Sequence, residues 1–174
     1  MKLNWHEFKY DGNMAETRVD KIRKDLPSDA ARKDLEDERA VYVIKILPPF
    51  SLSYPLQPSP VIYLGKGKVW NRLSQGHSKW IKKIHEKLGV RFLVNYCCPR
   101  RQKYEAAYEN VEADLIQMFV DKFGTLPLMN GRKEWPKKKW TYDKWSSRVP
   151  LEGVSKKHFC SLSLFDGLFD LEDA

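Results

Sequence analysis

The chain has 174 residues, of which 42% are hydrophobic and 31% charged, a composition typical of a folded protein and not of a disordered one. No stretch approaches the roughly 18 consecutive apolar residues that a membrane span needs, no secretory signal is visible, and three cysteines are too few for a disulfide framework. We therefore expect one compact domain with extensions, cytoplasmic (in a bacterial or phage context) or nuclear, not secreted and not bound to a membrane.

The formal net charge of +8 is unevenly distributed along the chain. Residues 1–39 hold 9 basic and 10 acidic groups, residues 40–129 hold 13 and 6, and residues 130–148 hold 7 and 2. The last ten residues hold four acids and no base. A basic centre of this kind indicates a polyanionic partner, most often nucleic acid, although a basic surface that is merely solvated gives the same count.

The first half of the chain predicts a helical extension followed by two strands. Residues 1–39 carry apolar residues at helical spacing, and Ser28 or Asp29 is suited to begin a second helix. The β-branched and aromatic residues of 40–46 predict a strand, and 61–64 predict another. Between them, residues 47–60 contain four prolines and predict a loop. We expect the two strands to form an antiparallel hairpin.

The second half predicts two helices around a third strand. Residues 69–88 follow the helical period up to Gly89, with Gly76 weakening the middle so that a break near His77 is expected. Residues 90–96 predict a strand, and 102–123 predict a helix that ends at Gly124. The fold class is then a small α/β unit, with a three-stranded, mostly antiparallel sheet flanked by helices in the order β-β-α-β-α and an irregular C-terminal extension. The expected organisation is 1–39 as the N-terminal extension, 40–130 as the main domain, and 131–174 as a basic, Trp-rich arm with an acidic tail.

Several residues suited to catalysis occur within this unit. Tyr42 and Tyr63 lie on the two strands of the hairpin, and Arg72 and His77 follow in the first long helix. Glu112 lies at the edge of the apolar stripe of the second long helix. A carboxylate so close to a buried face is costly unless it is paired or binds a metal.

These residues, in this order, resemble the GIY-YIG endonuclease family. The first motif reads Ala40-Val41-Tyr42 and the second Tyr63-Leu64-Gly65, followed by Lys66-Gly67-Lys68. Glu112-Ala113-Asp114-Leu115-Ile116 and Leu126-Pro127-Leu128-Met129-Asn130 are similar to later segments of the family. Ala40 replaces the leading glycine, and the loop between the tyrosines is longer and richer in proline than is usual there.

The resemblance implies a GIY-YIG-like fold and metal-dependent hydrolysis of DNA phosphodiester bonds by water, in a one-metal mechanism. It implies that Glu112 is the single protein ligand of Mg²⁺ or Mn²⁺, a hard cation that keeps several waters. Tyr42 or Tyr63, preferably Tyr42, would accept a proton from the attacking water, and Lys66, Arg72 or the metal would assist it.

The same resemblance implies supporting roles for the remaining candidates. Arg72 would hold the phosphate oxygens, His77 would bond to a tyrosine or the phosphate, and Asn130 would brace the site. Restriction, repair and mobile-element processing are all compatible with such an enzyme. A homodimer is one way for it to cut both strands of a duplex.

Basic residues around the site are the candidates for DNA contact, and in the arm they are interleaved with aromatic rings. Trp135, Trp140 and Trp145 would either stack on bases or pin the arm to the domain. The candidate DNA-binding cations are Lys66, Lys68, Arg72, Lys79, Arg132, Lys133, Lys137, Lys138 and Lys139.

Other interpretations remain open for the tail and for the whole chain. Ser161-Leu162-Ser163-Leu164-Phe165 resembles a peptide that docks bacterial proteins on the replisome sliding clamp, and it also fits an ordinary packed segment. The main alternative to a nuclease is a catalytically inactive nucleic-acid-binding module on the same scaffold. A further alternative is an interaction protein whose basic surface binds an acidic partner.

Overall fold

The computed structural model describes residues 1–10, 26, 28–100, 104, 106–132, 135–136 and 140–163. A four-stranded antiparallel sheet forms its centre, in the order β1-β5-β2-β4. These strands are β1 (His6–Tyr10), β2 (Val41–Ile46), β4 (Val61–Lys66) and β5 (Phe92–Cys97). The predicted α/β class, with a mostly antiparallel sheet flanked by helices, is confirmed. In the described part of the chain, no helix is long and apolar enough to cross a bilayer.

The sheet has one strand more than the sequence predicted, because β1 replaces part of the expected N-terminal helical extension. β1 pairs with β5 from His6 opposite Tyr96 to Tyr10 opposite Phe92. Phe8 and Tyr10 are buried, whereas Glu7 and Lys9 are exposed, which is the two-residue period of a strand with one covered face. Residues 11–25, where the first helix was expected, lie outside the described residues.

A second, smaller sheet corrects two further predictions. β3 (Phe50–Ser53) lies within the expected loop and pairs in parallel with β6 (Cys160–Ser163) in the tail that was expected to be irregular. β6 contains the first three residues of the clamp-like segment, whereas Leu164 and Phe165 lie outside the described residues. The Ser53 and Ser161 hydroxyls are 2.6 Å apart and add a side-chain hydrogen bond to this pairing.

The helices follow the expected signals closely. α1 (Asp29–Glu36) begins after Ser28, whose hydroxyl accepts a hydrogen bond from the Ala31 backbone N–H at 3.2 Å. The segment predicted as one helix is composed of α2 (Val69–Asn71), a π-helical stretch (Arg72–His77) and α3 (Ser78–Leu88), and it ends at Gly89. α4 (Ala107–Phe123) ends at Gly124, and the short α5 (Lys144–Arg148) lies in the arm. Both terminal glycines have positive φ, which favours glycine.

Hydrophobic residues cover both faces of the central sheet. The large cluster contains the consecutive β2 residues 42–44, which point alternately to the two faces, together with residues of α1, α3 and α4. Val41 belongs to a smaller cluster formed with α4 and the arm. β4 is left as an edge strand. Helix α4 and the π-helical stretch therefore approach each other around this edge, where the candidate site lies.

Candidate functional site

A cleft of about 450 Å³ opens beside strand β4. It brings six of the seven candidate catalytic residues together, and Tyr42 lies behind them with a fully buried side chain. Among the residues that the structure describes, three cations and one carboxylate line it, so this part of the cleft is predominantly positive. The lining residues are Tyr63, Lys66, Arg72, Gly76, His77, Trp80, Glu112, Ile116, Met129, Asn130, Gly131 and Arg132.

The two tyrosines meet because Gly65 leaves room for them. Gly65 lies directly opposite Tyr42 in the β2–β4 pairing and two residues beyond Tyr63, so all three are on the same face of the sheet. A Cβ at Gly65 would lie 2.5 Å from Tyr63 Cε1 and 3.0 Å from the Tyr42 hydroxyl oxygen. The Tyr-x-Gly spacing of the second motif therefore has a steric reason: any side chain at residue 65 would displace both hydroxyl groups.

His77 links the buried tyrosine to Trp80. The Trp80 indole Nε1–H donates to His77 Nδ1 at 3.1 Å, and His77 Nε2 is 2.7 Å from the Tyr42 hydroxyl. Since Nδ1 is an acceptor, the neutral ring carries its proton on Nε2 and donates it to Tyr42. Because Tyr42 accepts from His77, its own O–H remains available to the neighbouring Tyr63 oxygen, and this interaction lowers the pKa of Tyr63 and raises that of Tyr42. Donation thus runs in one direction, from Trp80 through His77 and Tyr42 toward Tyr63, which lines the cleft.

Burial and nearby charges set the protonation states of His77, Tyr42 and Tyr63. Burial, with a smaller contribution from the positive Arg72, lowers the pKa of His77 to about 4, so the imidazole is neutral near pH 7. Burial raises the pKa of Tyr42 well above its ordinary value, and the neighbouring Tyr63 raises it further. Burial also raises the pKa of Tyr63 and is the largest influence on it, and the Glu112 carboxylate raises it too, whereas the Tyr42 hydroxyl, Arg72 and Lys66 lower it, so the pKa stays above its ordinary value. Of the two tyrosines, Tyr63 has more neighbours that favour its phenolate.

The π-helical stretch explains how Arg72 and His77 reach the same cleft. In an α-helix, side chains five residues apart point about 140° away from each other. Bonding between residues i and i+5 widens the turn, so that positions five apart come close to the same face. Gly67 lies beside the Arg72 side chain and has φ of 110°, a backbone conformation that favours glycine, although a Cβ there would be at the ordinary contact distance of 3.4 Å from Arg72 Nε.

Glu112 is the candidate metal ligand, and its surroundings fit a cation held mainly by water and substrate. Its side chain is buried, borders the cleft, and pairs through Oε2 with Lys66 Nζ at 2.7 Å. Across the described ranges, no cluster of three or more His, Cys, Asp or Glu side chains is positioned to hold a metal. A lone carboxylate facing a polar cleft suits Mg²⁺, which is often held by one or two carboxylates, waters and substrate phosphates.

Asn130 closes the exposed edge of β4 next to the tyrosine. Its side-chain oxygen accepts from the Leu64 backbone N–H at 3.0 Å, and its amide nitrogen donates to the Leu64 carbonyl at 2.7 Å. The Met129 backbone N–H donates to the Ile62 carbonyl at 3.0 Å. The amide thus takes the place of a neighbouring strand and fixes the backbone that carries Tyr63 and Lys66.

The structure separates the predicted DNA-binding cations. Lys66, Arg72 and Arg132 line the cleft, whereas Lys68 pairs with Glu38 at 3.2 Å between Nζ and Oε1. Lys79 is exposed on α3 and does not line the cleft. The remaining cations of the prediction lie outside the described residues: Lys133, Lys137, Lys138 and Lys139.

The three tryptophans of the arm divide between the two roles considered from sequence. Trp140 is 8% exposed and packs edge-on against Tyr104, with 5.5 Å between ring centroids. It also belongs to the hydrophobic cluster of Val111 and Leu115, so it pins the arm to α4. Trp135 and Trp145 are each 72% exposed. The expectation that the tryptophans anchor the arm is therefore confirmed for Trp140 only.

Trp80 and Gly65 contribute to the site without having been predicted as site residues. Trp80 was assigned to the apolar stripe of its helix. Its spacing of three residues from His77 was the available signal, since side chains three apart on a helix can touch. Gly65 was part of a motif, but its contact with both tyrosines depends on the strand register.

No family model, curated protein or solved structure matches the chain in sequence and structure comparisons. Interpretation of the cleft therefore rests on its own geometry and chemistry.

Proposed function

We propose that this protein is a metal-dependent endonuclease that hydrolyses DNA phosphodiester bonds by attack of water, using one divalent cation. The observation that carries the proposal is the convergence of Tyr63, Lys66, Arg72 and Glu112 on one positive cleft. Phosphodiester hydrolysis requires a base for water, positive charge for the phosphate oxygens and stabilisation of the leaving oxygen. This set of side chains is able to meet those requirements.

Arg72 and Lys66 position the scissile phosphate. The Arg72 guanidinium can donate two parallel hydrogen bonds to non-bridging phosphate oxygens. Lys66 Nζ, which pairs with Glu112, adds a second positive charge to the cleft lining. Arg132 extends the positive surface along the backbone of the bound strand.

Tyr63 is the better general base of the two tyrosines. It lines the cleft, whereas the side chain of Tyr42 has no exposed surface. Hydrogen bonds passed from Trp80 through His77 and Tyr42 stabilise negative charge on the Tyr63 oxygen, and the adjacent cations act in the same direction. Tyr63 is a neutral phenol at rest, so it must first lose its proton to solvent, and the resulting phenolate then accepts a proton from the attacking water. This replaces the preference for Tyr42 drawn from the sequence.

Glu112 supplies the carboxylate that would hold the divalent cation. When bound, such a cation would supply positive charge for the leaving oxygen and the phosphate. Lys66 must release or share Glu112 for this to occur, and its long, partly exposed side chain allows that movement. The phosphate then becomes the second partner of the Lys66 ammonium.

A nucleic-acid-binding module without catalysis is the second candidate. The ion pair between Lys66 and Glu112 favours it, because an ammonium group that stays on the carboxylate competes with any cation for that oxygen. The cleft would still bind phosphate through Arg72 and Arg132.

A cleavage panel separates these two functions. Wild type and Glu112→Ala are incubated with duplex, nicked, branched and single-stranded DNA, with and without Mg²⁺, and binding is measured in parallel. The nuclease requires Mg²⁺-dependent cutting by wild type, loss of cutting in the variant, and nearly unchanged DNA affinity. Glu86→Ala, which removes an exposed acid from α3, is the matched control and should cut normally.

Absence of Mg²⁺-dependent cutting on every substrate, with binding retained, would establish the binding module instead. Absence of binding even at low salt would reject both, because phosphate contacts strengthen steeply as salt falls.

A further inference from the structure

A second depression, the side pocket, lies next to the cleft and shares Lys66 with it. The side pocket has a volume of about 190 Å³ and is formed by Lys66, Tyr104, Glu109, Asn110, Trp135 and two alanines. Lys66 lines both spaces and pairs with Glu112 of the cleft, so the two spaces adjoin at this side chain. A ligand bound in the cleft beside Lys66 is therefore close to the side pocket.

The side pocket has both aromatic and polar lining residues. Trp135 is 72% exposed, and the Tyr104 ring is held in place by its edge contact with Trp140. Asn110 is buried, so its side-chain amide belongs to the interior of the protein. Glu109 accepts a hydrogen bond from the Tyr108 hydroxyl at 3.3 Å. The side pocket therefore combines flat apolar surfaces with the Glu109 carboxylate, a hydrogen-bond acceptor.

The chemistry of these walls favours a nucleobase over a second phosphate. The Glu109 carboxylate would repel phosphate but can accept a hydrogen bond from a base amino group. Tyrosine and tryptophan rings stack on bases of any sequence. At roughly 30 Å³ per water molecule, the volume corresponds to a few waters and suits one ring system rather than a whole nucleotide.

We propose that the side pocket takes one unstacked base of the DNA strand whose phosphate lies in the cleft, with Trp135 and Tyr104 as its stacking surfaces. This inference rests on the proposed function for the identity of the substrate. Extruding a base from a duplex costs a few kcal/mol, and least where the base is already unpaired. The protein should therefore prefer DNA that has an unpaired nucleotide beside the bound phosphate.

Trp145 provides a matched control for Trp135. Both indoles are 72% exposed, so either can be removed without opening the core. Trp145 lies on α5, where the Arg148 guanidinium is 5.5 Å from its ring centroid, and it lines neither the cleft nor the side pocket. If exposed tryptophans only add general affinity for DNA, the two substitutions should have similar effects.

The experiment measures binding without cutting. The full chain is titrated, in EDTA, against a duplex with one unpaired base and against the fully paired duplex, and fluorescence anisotropy gives both affinities. Wild type should prefer the unpaired base. Trp135→Ala should weaken binding of that duplex about tenfold while leaving binding of the paired duplex within about twofold, and Trp145→Ala should affect neither. With 2-aminopurine as the unpaired base, wild type should quench its fluorescence more than Trp135→Ala does.

The remaining outcomes overturn the proposal. Equal losses on both duplexes in Trp135→Ala, similar effects of the two tryptophan substitutions, or no preference in wild type would each reject the base pocket. Failure of the nuclease function gives a different result: no Mg²⁺-dependent cutting by wild type, with the preference for the unpaired base and its dependence on Trp135 retained. Thermal unfolding of each variant shows whether the fold is intact.

Discussion

Two buried carboxylates on α4 define two sides of the molecule. Glu112 is 7% exposed and Asp114 is 3% exposed, and two residues along a helix correspond to a rotation of about 200°. Glu112 therefore faces the cleft and pairs with Lys66, whereas Asp114 faces the arm. Asp114 Oδ2 accepts from the Trp140 backbone N–H at 3.1 Å and from the Tyr142 hydroxyl at 3.0 Å.

The comparison shows that burial alone does not distinguish a catalytic acid from a structural one. Asp114 is surrounded by donors from the arm and is part of its attachment. Glu112 borders space into which a ligand can enter, and its partner is a flexible lysine. Glu112 is the candidate metal ligand because of the cleft and the lysine beside it, and not because of its degree of burial.

The strongest test of this difference is to neutralise each carboxylate in turn. Glu112→Gln should reduce DNA cleavage below detection, because the amide loses the charge that would hold a divalent cation. Asp114→Asn should retain cleavage of folded protein, because Asp114 contacts the arm and not the cleft. Single-turnover cleavage rates with saturating Mg²⁺ measure both effects. Equal losses of activity in the two variants would contradict the division of α4 into a cleft side and an arm side.

A second test compares the tyrosine in the cleft with the one behind it. Tyr63→Phe removes the proposed base and should lower the cleavage rate by about 10²-fold or more. Tyr42→Phe removes one hydrogen bond to a charged oxygen and should lower the rate by about tenfold. If Tyr42→Phe proves the more damaging change, the sequence-based choice of Tyr42 as the base is restored.

Local signals in the sequence predicted most of the central elements. Ser28 marks the beginning of α1, and Gly89 and Gly124 mark the ends of two helices, because capping and positive φ are properties of one or two residues. β3 and β6 were missed because their pairing joins segments more than a hundred residues apart. A pattern within either segment alone does not identify the strand with which it pairs.

For the candidate site, too, the sequence predicted the local features but not those that depend on long-range structure. The residue types and their order placed Tyr63, Arg72 and Glu112 among the candidates. The direction of the hydrogen bonds from Trp80 to Tyr63 could not be predicted, because it depends on the π-helical stretch and on the register of β2 against β4. Which tyrosine faces the cleft depends on the same three-dimensional details.

We expect the contacts between Asp114 and the arm to contribute to the free energy of unfolding. Asp114→Ala leaves the Trp140 N–H and the Tyr142 hydroxyl without their acceptor, and each such loss costs about 1–3 kcal/mol. We expect the free energy of unfolding to fall by about 2–4 kcal/mol in urea denaturation. Asp121→Ala, at an exposed position on the same helix, is the control and should change it by less than about 0.5 kcal/mol. An unchanged midpoint for Asp114→Ala would show that the arm is held by other contacts.

The cleft side should make stability depend on pH through His77. The pKa of His77 is about 4 in the folded protein, against 6.5 for an ordinary histidine, so the unfolded chain binds this proton more readily. Its contribution to the free energy of unfolding is complete above pH 6.5 and is lost as the pH falls toward 4, with a slope of at most about 1.4 kcal/mol per pH unit. His77→Gln keeps a donor and an acceptor but does not titrate, so the difference between variant and wild type in urea denaturation should shrink as the pH is lowered through this window. A difference that stays constant from pH 7 to pH 4 would mean that His77 is not held neutral, and the proposed direction of hydrogen bonds toward Tyr63 would then fail as well.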